Sequence, residues 1–229
     1  MNLKQRINHI LIAFLLVAVA VYESAFAQQA HEPIQPIPAY SNQHPERVKL
    51  GERLFHDARL SKDGTVSCAS CHNLTTGGDD GRVVSIGVGQ RKGDVNAPTV
   101  FNCALNFRQF WDGRARDLFD QIEGPIHNGL EMASNWPFIV NQLKQDAELV
   151  AVFQNVFADG ITAKNIKTAI VAFEESLLTP NSRFDRYLRG QADAITADEL
   201  EGYRLFQQYG CIACHQGSSW VAIYFRNWV

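Results

Sequence analysis

Two pentads, Cys68-Ala69-Ser70-Cys71-His72 and Cys211-Ile212-Ala213-Cys214-His215, constrain this chain more than any other feature. Each sets two thiols three residues apart and places an imidazole directly after the second. On a helical turn, residues three and four apart share a face. Both sulfurs can therefore bond the vinyl groups of one porphyrin while the imidazole turns onto its iron. This is the pattern of c-type haem attachment. Two copies predict two covalently attached haem c groups, bonded through Cys68 and Cys71 and through Cys211 and Cys214, with His72 and His215 as iron ligands. Structural zinc would pair Cys-x-x-Cys units about 15 to 20 residues apart, whereas these units begin at residues 68 and 211. A thioredoxin-like redox pair needs a βαβ setting that the sequence does not offer. The fifth cysteine, Cys103, reads as a small buried hydrophobe.

The surrounding chain reads as all-α. After Pro45, the segment Glu46 to Phe55 places Val48, Leu50, Leu54 and Phe55 on one helical stripe, and Ile166, Ile170, Phe173 and Leu177 repeat the pattern before Pro180. Thr196-Ala197-Asp198-Glu199 is a capping box that opens a helix through Leu200, Tyr203 and Phe206, stopped by Gly210. The best strand signal is the short run Arg82 to Val88. An internal repeat ties the cysteines to helices: Gly51-Glu52-Arg53-Leu54-Phe55 precedes the first pentad and Gly202-Tyr203-Arg204-Leu205-Phe206 precedes the second. Two related cytochrome c-like domains follow from it, at 46–181 and 182–229, after an extended Pro-rich arm at 28–45.

Residues 1–27 read as a signal peptide: Lys4 and Arg6, an apolar run from Ile10 to Tyr22, then Ala25-Phe26-Ala27 with cleavage before Gln28. The apolar run is shorter than the roughly 20 residues that span a bilayer, so the mature chain is expected in the periplasm. The formal charge is −3, and −4 once Lys4, Arg6 and Glu23 are removed, which disfavours nucleic acid as a partner.

Three further stretches carry a family likeness. These are Asn96-Ala97-Pro98-Thr99-Val100-Phe101-Asn102, Gln109-Phe110-Trp111-Asp112-Gly113-Arg114-Ala115, and Gly124-Pro125-Ile126-His127-Asn128-Gly129-Leu130-Glu131-Met132. With Glu32 to Pro36, Ser67 to Asn73 and Leu178-Thr179-Pro180-Asn181-Ser182-Arg183-Phe184-Asp185, they make the chain resemble the bacterial dihaem cytochrome c peroxidases from about Pro33 to Gly217. The resemblance implies an enzyme that reduces hydrogen peroxide to water with electrons from a small periplasmic donor, a c-type cytochrome or a cupredoxin. It implies that the haem on His72 meets peroxide while the second receives electrons. Glu131 then matches the distal carboxylate that moves a proton to the departing oxygen, a step that general acid catalysis accelerates. Gln121 matches the distal amide that orients peroxide, Trp111 an aromatic between the haems, and Asn96 a calcium ligand. A homodimer is also in keeping with the family. Outside such motifs, a lone Glu on a helix is usually a solvated side chain and a lone Trp usually core.

Two departures shape the expectation. Many members carry histidine at the place of Val88, in a Ser-Ile-Gly-His stretch that caps the first haem until the second is reduced. Valine cannot ligate iron, so the first haem is expected to stay open or water-bound when oxidised. His127, four residues before Glu131, could serve as a substitute ligand or a second base, though a surface histidine is the plainer reading. The likeness ends after Gly217, where the family continues through a whole cytochrome-like domain. Ser218 to Val229 do not match, although one codon choice for Trp220 onward, read in a shifted frame, yields a family-like Gly-Gly-Asn-Leu-Phe-Gln-Lys-Leu-Gly. The second haem domain is therefore expected to be incomplete, as after a frameshift. The alternatives left open are an electron-transfer cytochrome with no substrate, a relative that oxidises a protein side chain, and a non-functional fragment.

Overall fold

The structure is a computed structural model that describes residues 32–218. The expected signal peptide at 1–27, the start of the arm, and the unmatched tail beyond Ser218 lie outside the described residues. Among the described residues the fold is helical: α1 (Pro45–Phe55), α2 (Cys68–Cys71), α3 (Leu118–Gln121), α4 (Glu123–His127), α5 (Trp136–Leu143), α6 (Ala147–Val156), α7 (Ala163–Ser176), α8 (Arg183–Leu188) and α9 (Ala197–Gln208). Single turns of 3₁₀ helix join them, and β structure is limited to isolated bridges. The run Arg82 to Val88 is not a strand. Left-handed Gly89 and Gln90, at φ 62° and 60°, curl it back so that Ile86 bridges Lys92 instead of continuing a ladder. No helix among the described residues is long and apolar enough to cross a membrane.

The described chain clusters into two compact units, residues 37–180 and residues 32–36 with 181–218. In the larger unit α1 crosses α7 at Gly51. A β-carbon added there would stand 1.9 Å from the Ala169 carbonyl oxygen, so only glycine allows the two backbones to approach this closely. The crossing buries Leu50, Leu54 and Phe55 against Ile166, Ala169, Ile170 and Phe173. Val48, expected on that stripe, is only partly buried because it lies at the outer edge of the contact. Ile126, Ile139, Leu143, Leu149 and Phe153 complete a fully buried core, each contributing about 1.5–3 kcal/mol by leaving water. Thr162 caps α7 through the Asn165 N–H, and Asp146 caps α6 through the Leu149 N–H at 3.0 Å while pairing with Arg59 at 3.1 Å.

The smaller unit is organised by aromatic rings. Phe184 meets Tyr203 edge-on at 5.0 Å and stacks beside Tyr187, and the three enclose Leu188 and a fully buried Ile34. Main-chain bonds from Gln35 N–H to Gly217 O and from Gly217 N–H to Pro33 O bind residues 33–35 to the segment after the second pentad. The Thr196–Glu199 capping box forms as its sequence predicts, and Gly210 ends the segment after α9 at φ 76°.

Candidate active site

The first pentad occupies α2 and the residue after it. Ser70 Oγ accepts from the Ser67 N–H at 3.0 Å, closing the N-terminus of this single turn. Cys68 and Cys71 therefore lie one turn apart on one side, and the His72 N–H still bonds the Cys68 carbonyl at 2.9 Å. His72 then leaves the helix at φ −125°, ψ 73°, which swings its ring away from the turn. Its Nδ1 lies 3.2 Å from the Gly78 carbonyl. A carbonyl can only accept, so Nδ1 carries the proton and Nε2 keeps its lone pair for a metal. Burial pushes the His72 pKa down, against the opposing pull of the Gly78 and Pro98 carbonyls, and favours the neutral ring that ligation requires.

The Gly78 carbonyl is itself held. It accepts from the Val100 N–H at 3.1 Å, and Thr99 Oγ1 donates to Gly77 O at 2.6 Å. Gly78 sits at φ 77°, and a β-carbon there would meet Thr99 Oγ1 at 2.8 Å and Phe101 at 2.9 Å. The segment Asn96 to Asn102 thus buttresses the Gly78 carbonyl that tethers His72. Asn102 in turn pairs both ways with Thr179: its Nδ2 donates to Thr179 Oγ1 at 2.7 Å, and its Oδ1 accepts the Thr179 N–H at 2.9 Å. Two stretches that the sequence sets far apart are one hydrogen-bonded unit.

Both thiols of the turn are free, and burial pushes each up, away from the thiolate of a redox or zinc pair. The Cys71 thiol is pushed up further by the charges of Asp80 and Glu131, which places Glu131 in its electrostatic neighbourhood. Glu131 itself is half-buried, and desolvation raises its pKa against the lowering effect of Asn128 and Arg114. Asn128 Nδ2 donates to Glu131 Oε1 at 2.6 Å. Behind it, the Val88 N–H donates to the Glu131 carbonyl at 2.8 Å, and Gly87 lies so close that an added β-carbon would meet Leu130 O at 2.1 Å. Val88 points into the core, 6% exposed.

Gln121 closes α3, half-buried, with its N–H on Asp117 O. Trp111 is 58% exposed and donates from Nε1 to the Asn96 carbonyl at 3.2 Å. Trp111 and Asn96 line a cavity of about 430 Å³ shared with Asp79, Arg82 and Thr99, and Gln121 is not part of its wall. His127 donates from Nδ1 to the Glu123 carbonyl at 2.8 Å. The second pentad forms a 3₁₀ turn, Cys211–Ala213, with Cys214 and His215 exposed and the Phe206 and His215 rings 6.2 Å apart.

The family model for di-haem cytochrome c peroxidase matches residues 45–193. The chain belongs to that family. It is 49% identical over 191 residues to cytochrome c peroxidase Ccp of Escherichia coli K12, covering 83% of this chain and 41% of that protein. It is 47% identical over 199 residues to cytochrome c551 peroxidase of Nitrosomonas europaea, covering 86% and 60%. A solved structure of a MauG-like protein associated with microbial copper homeostasis matches with TM-score 0.70 and 32% identity, over 80% of this chain and 55% of that one. The chain spans about half the length of the curated relatives it matches.

In a member of this family, the donor set around α2 fits haem c. It offers two neighbouring thiols that form no disulfide, and a neutral imidazole with its outer nitrogen satisfied and its inner one available. Several groups at this site have no sequence signal strong enough to find them. Gly78 and Asn128 read as ordinary turn residues. Glu123 gathers Lys167 Nζ at 2.5 Å and Trp136 Nε1 at 2.7 Å beside His127. Glu174, an acid in an otherwise amphipathic helix, is buried with Oε2 lacking a hydrogen-bond partner, and when ionised it raises the Cys68 and Cys103 thiols.

Proposed function

We propose that this chain reduces hydrogen peroxide to water, with Glu131 as the proton-transfer group beside a haem carried by Cys68, Cys71 and His72. The carrying observation is a half-buried carboxyl, raised in pKa by burial, held by Asn128 and close enough to Cys71 to act on its thiol. When bound, haem supplies the iron that exchanges electrons with peroxide. Glu131 accepts the proton from one peroxide oxygen and delivers it to the other, so that a poor leaving group departs as water. Two protons and two electrons balance each peroxide against two waters. Gln121 orients peroxide through its amide, and Trp111 offers an aromatic route for the second electron.

Residues 46–181 serve as the peroxide-reducing haem domain, and 182–229 open the electron-receiving one through Cys211, Cys214 and His215. The donor is a small c-type cytochrome or cupredoxin in the periplasm, reached by cleavage after Ala27, and the working form is a homodimer. Asn96 and Asp79 place oxygen donors around one cavity, in keeping with a calcium ion, which takes oxygen ligands. No group of three or more His, Cys, Asp or Glu forms a metal cluster among the described residues, so calcium there would draw on amide or main-chain oxygens.

Peroxide turnover by Glu131→Gln tests the reading. Loss of the carboxyl should lower kcat by about 10²–10⁴-fold with the haem spectrum unchanged. Undiminished turnover would point to a carrier that passes electrons without its own substrate.

A further inference from the structure

The turn that presents Glu131 is held by one side chain used at both ends. Asn128 Oδ1 accepts the Leu130 N–H at 2.9 Å, and Asn128 Nδ2 donates to Glu131 Oε1 at 2.6 Å. The main-chain carbonyl of Asn128 also accepts from the N–H groups of Glu131 and Ala133, at 3.0 and 2.9 Å. Ala133 lies at φ 49°, a left-handed conformation that an L side chain keeps only where its surroundings impose it. An N–H needs an acceptor, so the amide oxygen must face Leu130 and the NH₂ must face the carboxylate. No other side chain of this length does both. Aspartate could still accept from Leu130, but would set a second carboxylate against Glu131.

We infer that Asn128 is a positioning residue: its amide holds the Glu131 carboxylate in one orientation while its oxygen shapes the turn that carries it. The inference rests on Glu131 being the proton-transfer group. One charged group acts on Glu131 besides Asn128 and burial. Arg114, from the loop before α3, favours the ionised form. That guanidinium is shared with Asp112, at 2.9 Å, and lies 3.5 Å over the Phe110 ring. The Cys71 thiol on α2 lies within the electrostatic reach of the same carboxyl, whose charge raises its pKa. Asn128 is thus the neutral donor that offsets burial, and its loss should drive the Glu131 titration to higher pH.

Asn128→Asp in the haem-loaded protein separates the two roles, because it keeps the acceptor for Leu130 and loses the donor. Peroxide kcat at pH 7 should fall about tenfold, less than the roughly 10²–10⁴-fold that a positioned proton-transfer group contributes in full, with KM little changed. The acid limb of the kcat profile should move to higher pH and activity should recover beyond it, a rescue that a merely structural lesion would not show. An independent readout is the infrared carbonyl band of protonated Glu131, identified by its absence in Glu131→Gln. It should titrate at higher pH in Asn128→Asp. Asn128→Ala, which adds no charge, should move it the same way by less, and serves if the aspartate variant does not accumulate. An infrared titration of Glu131 that is the same in both variants as in the parent overturns the inference. If Glu131→Gln turns over peroxide normally while that band still moves, the proton-transfer reading fails and the positioning contact stands.

Discussion

The turn that carries Cys68, Cys71 and His72 and the turn that carries Cys211, Cys214 and His215 share their spacing and little else. The first is one turn of α-helix closed by Ser67 and Ser70, its histidine ring tethered to Gly78. The second is a 3₁₀ turn entered through left-handed Gly210, with Cys214 and His215 exposed. The helices before them differ in the same sense. Gly51 is pressed into α7, whereas Gly202, at the matching place in the repeat, has nothing within 4 Å of its missing β-carbon. Attachment chemistry is written locally, in five residues. The burial and geometry that keep one imidazole neutral and tethered come from helices and loops distant in sequence.

Substitutions at matched positions sharpen this contrast. The largest effect is expected from Gly51→Ala. It forces a methyl onto the Ala169 carbonyl and should cost about 3 kcal/mol, the upper end for overpacking a core, read as a lower melting transition of the larger unit.

Glu174 comes next, since it tests how dry the first turn is. Burial raises its pKa from 4.5 to about 8. The folded chain therefore holds a proton that the unfolded chain releases. The stability this contributes is present in full below pH 4.5 and is lost as pH rises towards 8. Thermal melts of the parent should fall across that window by a few kcal/mol at most, and Glu174→Gln should flatten the slope. A slope that persists in the variant would mean that another group carries it.

The smallest effect belongs to Gly202→Ala. In an exposed helix interior, alanine should stabilise by about 0.5–1 kcal/mol, opposite in sign to Gly51→Ala. Equal responses at the two glycines would break the comparison.

Much of the helical frame was legible because it is periodic. The stripe Ile166, Ile170 and Phe173 is buried on α7, and Thr196 with Glu199 caps α9 as its spacing predicts. The run Arg82 to Val88 carries β-branched residues, a local strand signal, while the paired left-handed residues that follow decide its path and keep the chain all-α. Val88 was readable only as a residue unable to bind iron. Its main-chain bond to Glu131 could not be foreseen, since any residue but proline offers the same N–H.

From the sequence alone come the haem-attachment chemistry, the helical class and the family likeness, because each depends on residue identity at short, regular spacing. Tertiary structure alone decides that Gly78 orients His72, that Asn128 holds Glu131 and that Glu174 is stranded in the core. Those outcomes depend on which backbone groups and apolar surfaces meet across long stretches of chain. Burial and hydrogen-bond partnership belong to the packed whole and not to the residue.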